Sequence, residues 1–330
     1  MLGLLLAALV GAVILSTGMG YINIPASEII KVILSHISNN HLTTSTIPQV
    51  VIMDVRLPRI LTAALVGGGL AVAGVIFQAI LLNPLADPYT LGVSSGAAFG
   101  ASLALVANIT FLGHFSVPLF AFIGALGTIA AVLFLASSEG QYSPNTLILA
   151  GVIVAAILAA GIGFIKYLAD EQVSVIIFWL MGSFASRTWA DVGITCIFTL
   201  STLLIAMYYS RDLNIMALGM RSAKSLGVNT VRTRKILIIT ASLVTAVCVS
   251  VSGIIGFIGL IIPHLMRFIS GPDNRRLLPL SFLAGALLLL GADTISRAIL
   301  PSEIPIGILT SLIGGPFFCY IFRRKQLGRM

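Results

Sequence analysis

Ile236 to Met266 reads ILIITASLVTAVCVSVSGIIGFIGLIIPHLM, 31 residues without an Asp, Glu, Lys or Arg. As one helix it would run roughly 46 Å at ~1.5 Å per residue, half as long again as a hydrocarbon core of about 30 Å. Gly253, Gly256, Gly259 and Pro263 interrupt its second half. The stretch therefore divides into two spans, the second short.

Outward from it, apolar runs near 1–20, 57–82, 91–111, 115–136, 146–168, 190–209, 277–297 and 304–322 are each long enough to cross a bilayer, for which about 20 residues suffice. With two spans in 236–266 the count is ten. The composition agrees: 58% hydrophobic and 9% charged residues, with a mean hydropathy of +1.08, exclude a water-soluble core. The expected fold is an all-α polytopic membrane protein, a single domain over 1–330.

Charge tests the count of ten. With both termini on the cytoplasmic side, 13 of the 19 basic residues lie inside, including Arg211, Arg221, Lys224, Arg267 and the tail Arg323, Arg324, Lys325 and Arg329. Lys31, Arg56, Arg59, Lys166, Arg187 and Arg297 make up the outer set. The positive-inside rule favours this arrangement. The net charge of +8, which in a soluble chain would point to nucleic acid, here reports topology, and no nucleic acid is expected. The first run, MLGLLLAALVGAVILSTGMG, lacks a basic n-region and a small-x-small cleavage site, so it reads as a span and not a signal peptide. Its abrupt beginning leads us to expect a native start upstream.

Little in the chain can carry chemistry. No lysine follows a glycine, so no P-loop is present, and ATP is not bound here by that motif. His36, His41, His114 and His264 are dispersed, and Cys196, Cys248 and Cys319 lie far apart in apolar runs. Neither a metal cluster nor a disulfide framework is indicated. The spans hold almost no ionisable residues near mid-membrane, which argues against a proton- or sodium-coupled carrier. Lys166 with Asp170 and Asp293 with Arg297 are acid–base pairs at helical spacing near outer helix ends. Gly92, Gly96 and Gly100 form a small-residue stripe, expected to pack inside one subunit more than across a dimer.

What remains is the polar insert Arg211 to Lys235, RDLNIMALGMRSAKSLGVNTVRTRK, with six of the basic residues. On a helical projection Met216, Met220, Ala223 and Gly227 share a face, with Arg221 and Ser225 opposite and Lys224 beside them. Leu218 falls on the polar side, where an apolar side chain suits a partner's groove. The alternative is a basic helix resting on anionic lipid. Arg56 and Arg59 form a second informative set. They stand at the N-terminal end of a span and on the positive-poor side, unfavourable on both counts. They either serve a partner or snorkel to headgroups, with Asp54 and Asp293 neutralising Arg56 and Arg297 locally.

These residues resemble the membrane subunits of ATP-binding-cassette importers for iron-siderophores, haem and cobalamin. The match runs almost end to end: RLPR (Arg56 to Arg59), NPLADPYTLGVSSGA (Asn83 to Ala97), LILAGV (Leu147 to Val152), ALGMRSAKSLGV (Ala217 to Val228), GFIGLIIPHLMR (Gly256 to Arg267), ADTISR (Ala292 to Arg297) and PIG (Pro305 to Gly307). The resemblance implies the type II importer permease fold, a homodimer around a central pathway, two cytoplasmic ATPase subunits that bind ATP and Mg, and an extracytoplasmic binding protein. By it, Leu218, Gly219, Arg221, Ala223, Leu226 and Gly227 dock on the ATPase, and Arg56, Arg59 and Arg297 hold the binding protein. It also makes the short outer segment Val173 to Met181 a gate element, while Asn83, Pro84, Asp87 and Pro88 read as an inner turn, with Asp87 able to cap a helix. The rival readings are a self-sufficient secondary carrier or channel, and a membrane scaffold without transport. For the cargo, an iron-siderophore comes first, with cobalamin and haem behind it and an oxyanion also open.

Overall fold

The computed structural model describes residues 1–20, 24–37, 47–138, 141–298 and 303–327; His41 and Arg329 lie outside them. Helices α1 (Leu2–Gly18) and α2 (Ala26–Ile37) come first. A single turn, α3 (Ile47–Val50), continues through a π-helical stretch, Val51–Arg56, into α4 (Leu57–Ile80). Then follow α5 (Val93–Val106), α6 (Ser116–Ala136), α7 (Pro144–Leu168), the short α8 (Val173–Leu180) and α9 (Trp189–Tyr208). Two brief helices, α10 (Ser210–Met216) and α11 (Met220–Ser225), precede α12 (Thr230–Ser252), α13 (Ile258–Ser270), α14 (Asn274–Ala298) and α15 (Ile306–Leu327). A two-residue antiparallel pairing, Ser137–Ser138 with Gln141–Tyr142, is the extended structure among the described residues. Six helical runs are long and apolar enough to cross a membrane, and α1, α5, α13 and most of α15 are shorter apolar helices. Each of the ten predicted runs falls on one of these.

The 31-residue stretch breaks where its glycines stand. Gly253 leaves α12 with φ +72°, and Phe257, also left-handed at +69°, opens the 13-residue α13. Its other boundary differs from the expected one. The helix begins at Thr230, not Ile236, capped by the Asn229 side chain on the Arg232 N–H. Its early arginine is accommodated because the buried Arg234 side chain donates to the Ile80 carbonyl at the end of α4 (3.4 Å).

Helix α4 is the axis of the bundle, buried along most of its length. Glycine permits the approach of its neighbours: a Cβ on Gly67 would stand 2.3 Å from the Gly285 carbonyl of α14, and one on Gly74 would stand 1.9 Å from that of Gly259 in α13. The predicted stripe behaves the same way inside this chain, Gly96 lying against Gly124 of α6 and Gly100 against Phe120. The non-helical loop between α4 and α5 closes on the α12–α13 break. There the Tyr89 hydroxyl donates to the Ile255 carbonyl (2.8 Å) and accepts from the Ile255 N–H (3.3 Å). Asp87 does not cap α5, whose N-cap is Gly92; its carboxylate instead accepts the Tyr89 N–H within the loop.

Candidate functional site: two opposite ends of one helix pair

Helices α4 and α14 run antiparallel, so Arg59 at the start of one meets Asp293 near the end of the other. Arg59 donates from Nε to both Asp293 oxygens (3.0 and 3.2 Å), its Nη2 lies 2.9 Å from Oδ1, and its Nη1 donates to Glu303 (3.0 Å). Arg297 lies 3.5 Å from Asp293, the predicted pair at helical spacing. Asp293 is 1% exposed, whereas Glu303 is 52% exposed on the rim.

The remaining guanidinium groups turn inward. Arg56 donates to the Thr17 carbonyl (2.7 Å), and Arg297 donates to the carbonyls of Ser16 and Met19 and to the Ser16 hydroxyl. These are carbonyls of the last turn and cap of α1, which no backbone N–H of that helix satisfies, and the partial negative charge of a helix C-terminus favours a cation there. Arg187 does the same for α12, donating to the Val251 carbonyl. Three of the six basic residues on the positive-poor side are thus engaged by helix ends.

Contrary to the expectation from the sequence, Arg56 and Arg59 do not oppose the dipole of their own helix. Neither begins a helix, because the helical run starts at Ile47, and both side chains address another helix's C-terminus or a carboxylate. The π-helical stretch itself frees the Met53 carbonyl, which accepts the Trp189 indole N–H (3.0 Å). Snorkelling to headgroups does not describe Arg56, which is 7% exposed.

At the opposite end the insert forms an elbow. The predicted single helix is split: Gly219 (φ +109°) separates α10 from α11, and Gly227 (φ +82°) turns the chain toward α12. A Cβ on either would meet nothing within 4 Å, so their backbone angles alone call for glycine. Met216, Ala223 and Val228 make a small core beneath, as the projection anticipated for Met216 and Ala223. Ala223 is fully buried, which seats α11 and keeps that side chain off the outer face. Leu218 (69% exposed) and Leu226 (62%) face out with Arg221. The elbow is fixed from below by contacts that sequence reasoning missed. Asn214 Nδ2 donates to Asp273 (2.6 Å), Asn214 Oδ1 accepts from both the Asn274 N–H and its Nδ2, and Thr233 donates to Asp212 (3.2 Å). The Asn214 amide and the Arg275 N–H hold the Asp273 carboxyl below its usual range. Among the described residues no group of three His, Cys, Asp or Glu could hold a metal.

An α-helical bundle with six runs long and apolar enough to cross a membrane, an exposed elbow at one end and an arginine cluster at the other, is the architecture of a multi-pass membrane protein. The FecCD transport family model matches residues 6–324, and the chain belongs to that family. The cobalamin import system permease protein BtuC of Halobacterium salinarum is 40% identical, over 84% of this chain and 75% of the relative. The molybdate import system permease protein MolB of Haemophilus influenzae is 38% identical over 99% of this chain and 96% of the relative. A solved structure described as an inward-facing conformation of a metal-chelate type ABC transporter superposes with a TM-score of 0.83 at 36% identity, covering 98% of both chains. The protein is accordingly a multi-pass permease component of an ABC importer in a prokaryotic inner membrane, and ATP hydrolysis in this family belongs to a partner.

Proposed function

We propose that two copies of this chain form the translocation pathway for a metal chelate, an iron-siderophore first, with the elbow end cytoplasmic and seated on ATPase subunits that bind ATP and Mg. The observation that carries the reading is the elbow. Two exposed leucines flank a short helix held by a three-residue core and two glycine turns, an apolar tip that folding within this chain leaves uncovered. Leu218, Leu226 and Arg221 provide the contact surface, Gly219 and Gly227 the shape, and Ala223 the seat. At the arginine end, three guanidinium groups against the carboxylates of Asp293 and Glu303 leave a net positive patch for an acidic extracytoplasmic binding protein. Because Arg56 and Arg297 are engaged by α1, Arg59 is the group that exchanges Glu303 for a partner's carboxylate.

The test is reconstitution of the subunit with its ATPase and binding protein in liposomes. Leu218→Asp is expected to leave insertion intact and to abolish uptake, with hydrolysis no longer responding to the binding protein; normal uptake in that variant ends the reading. Flux without any ATPase would favour a carrier, and a stable complex without flux a scaffold. For the cargo, the relatives named for cobalamin and for molybdate show how broadly this fold is used. A binding assay of the cognate binding protein against a siderophore, cobalamin, haem and molybdate decides among them.

A further inference from the structure

Helix α14 runs between the two ends of the molecule. α14 begins at Asn274 under the elbow and carries Asp293 and Arg297 at the arginine end, 19 residues and about 28 Å away at ~1.5 Å per residue. Along its length it is pressed onto α4, where Gly67 and Gly285 bring the backbones together and Phe282 covers Gly68. Pro279 removes one rung of its ladder near the elbow, but the tight packing beyond it leaves that portion little room to bend. At its far end Arg59 of α4 grips Asp293, and the Ser16 hydroxyl of α1 lies 2.7 Å from that of Thr294.

One side chain makes the polar contacts described between the elbow and the start of this helix. Asn214, on α10, uses both ends of its amide: Nδ2 donates to Asp273, and Oδ1 accepts the backbone and side-chain N–H groups of Asn274, at 2.6 to 2.9 Å. The bonded groups are the first residue of α14 and the one before it. A displacement of α10 along its axis is therefore passed to the end of α14 through three short, directional bonds, beside the apolar packing in which Leu213 shares a core with Leu277 and Leu278.

We infer that Asn214 is a positioning residue for coupling, the clamp through which movement of the elbow shifts α14 and so reaches the binding-protein surface at Asp293 and Arg59. The inference rests on the proposed function, in which an ATPase moves the elbow. It predicts a reciprocal effect: the nucleotide state of the ATPase alters binding-protein affinity through this clamp, because coupling between two sites acts equally in both directions.

The chemistry of the clamp supplies its own control. Asn214→Asp places two carboxylates at a 2.6 Å contact and breaks it. Pairing it with Asp273→Asn rebuilds the three clamp bonds with the donor moved across: the amide introduced at position 273 donates to the carboxylate introduced at position 214, which still accepts from Asn274, while the exposed Arg275 N–H gives up its acceptor at position 273 to solvent. The measurement is the Kd of the unliganded cognate binding protein for the full transporter in nanodiscs, with and without vanadate trapping of the ATPase, beside basal ATP hydrolysis. In the parent complex trapping should change Kd by about tenfold, a usual size for coupling between two sites. Asn214→Asp should bring that ratio to about one with basal hydrolysis within about twofold, and the paired swap should restore the ratio. An unaltered ratio in Asn214→Asp overturns the inference, as does a swap that folds and hydrolyses ATP yet stays uncoupled. A parent chain that retains no ATPase on purification would instead sink the importer reading itself, so the two failures are distinguishable.

Discussion

The arginine end and the elbow end solve opposite problems. At the first, charge is drawn inside: Asp293 is 1% exposed and is shared by Arg59 and Arg297, while Arg56 and Arg297 bind carbonyls at the end of α1. At the second, apolar surface is pushed out, with Leu218 and Leu226 standing in solvent above a core of a few side chains. Buried charge satisfied within the chain holds helices together; exposed leucine unsatisfied within the chain waits for something else. At one end folding satisfies the buried charge, and at the other it leaves an apolar tip bare.

Removing Asp293 should break that contrast most severely. Asp293→Ala leaves two largely buried guanidinium groups facing each other without the anion they share, Arg59 keeping only the half-exposed Glu303, and a cost of about 3–5 kcal/mol is expected. Thermal unfolding of the detergent-solubilised subunit measures it. A variant as stable as the parent would show that the arginine end is not held by charge. Next in size is the contact that keeps both ends on one frame: Gly67→Ala forces a methyl group to 2.3 Å from a backbone carbonyl that cannot swing aside. About 3 kcal/mol is expected, the upper end for overpacking, with the same assay as the check.

Glu303→Ala sharpens the comparison by affecting function without stability. This carboxylate is half exposed, so its loss should cost about 0–1 kcal/mol. Freed of it, Arg59 should bind the acidic partner more tightly at low salt, an advantage that fades as salt screens the pair. Calorimetric titration of the binding protein at two ionic strengths gives the answer; unchanged affinity at both removes Arg59 from the docking surface.

The smallest effect concerns the loop that lies between the two ends. Burial raises the Asp87 carboxyl from its usual 3.8 to about 6, against the lowering effect of the Tyr89 N–H. The unfolded group loses its proton near 4 and the folded one near 6, so the native state holds the extra proton in that window and stability falls as pH rises through it. Asp87→Asn retains the acceptor for Tyr89 and should flatten the curve of melting temperature between about pH 4 and 6. A curve as steep as the parent's would place the titrating group elsewhere.

Much of this was legible in the sequence, for physical reasons that also set the limits. Hydropathy located the helices because lipid demands long apolar runs, and glycine marked the break after Ser252, where the backbone takes a positive φ. Helix starts were less legible. Thr230 and Ile47 both lie in stretches with polar residues, so an apolar window misses them, and the error at Ile47 made Arg56 look like a residue at a helix N-terminus. The partners of the arginines were hidden more deeply, since a backbone carbonyl at the end of α1 has no residue type to betray it. Asn214, Asp273 and Asn274 were equally silent, being 59 and 60 positions apart across the fold.

The two turns of the elbow stand in open space, with nothing near enough to exclude a methyl group at Gly219 or Gly227. What selects glycine there is handedness and not volume. A D-alanine introduced by chemical synthesis should fit where ordinary alanine strains, and would stiffen the tip besides. The shape of the elbow is thus specified by chirality at two points.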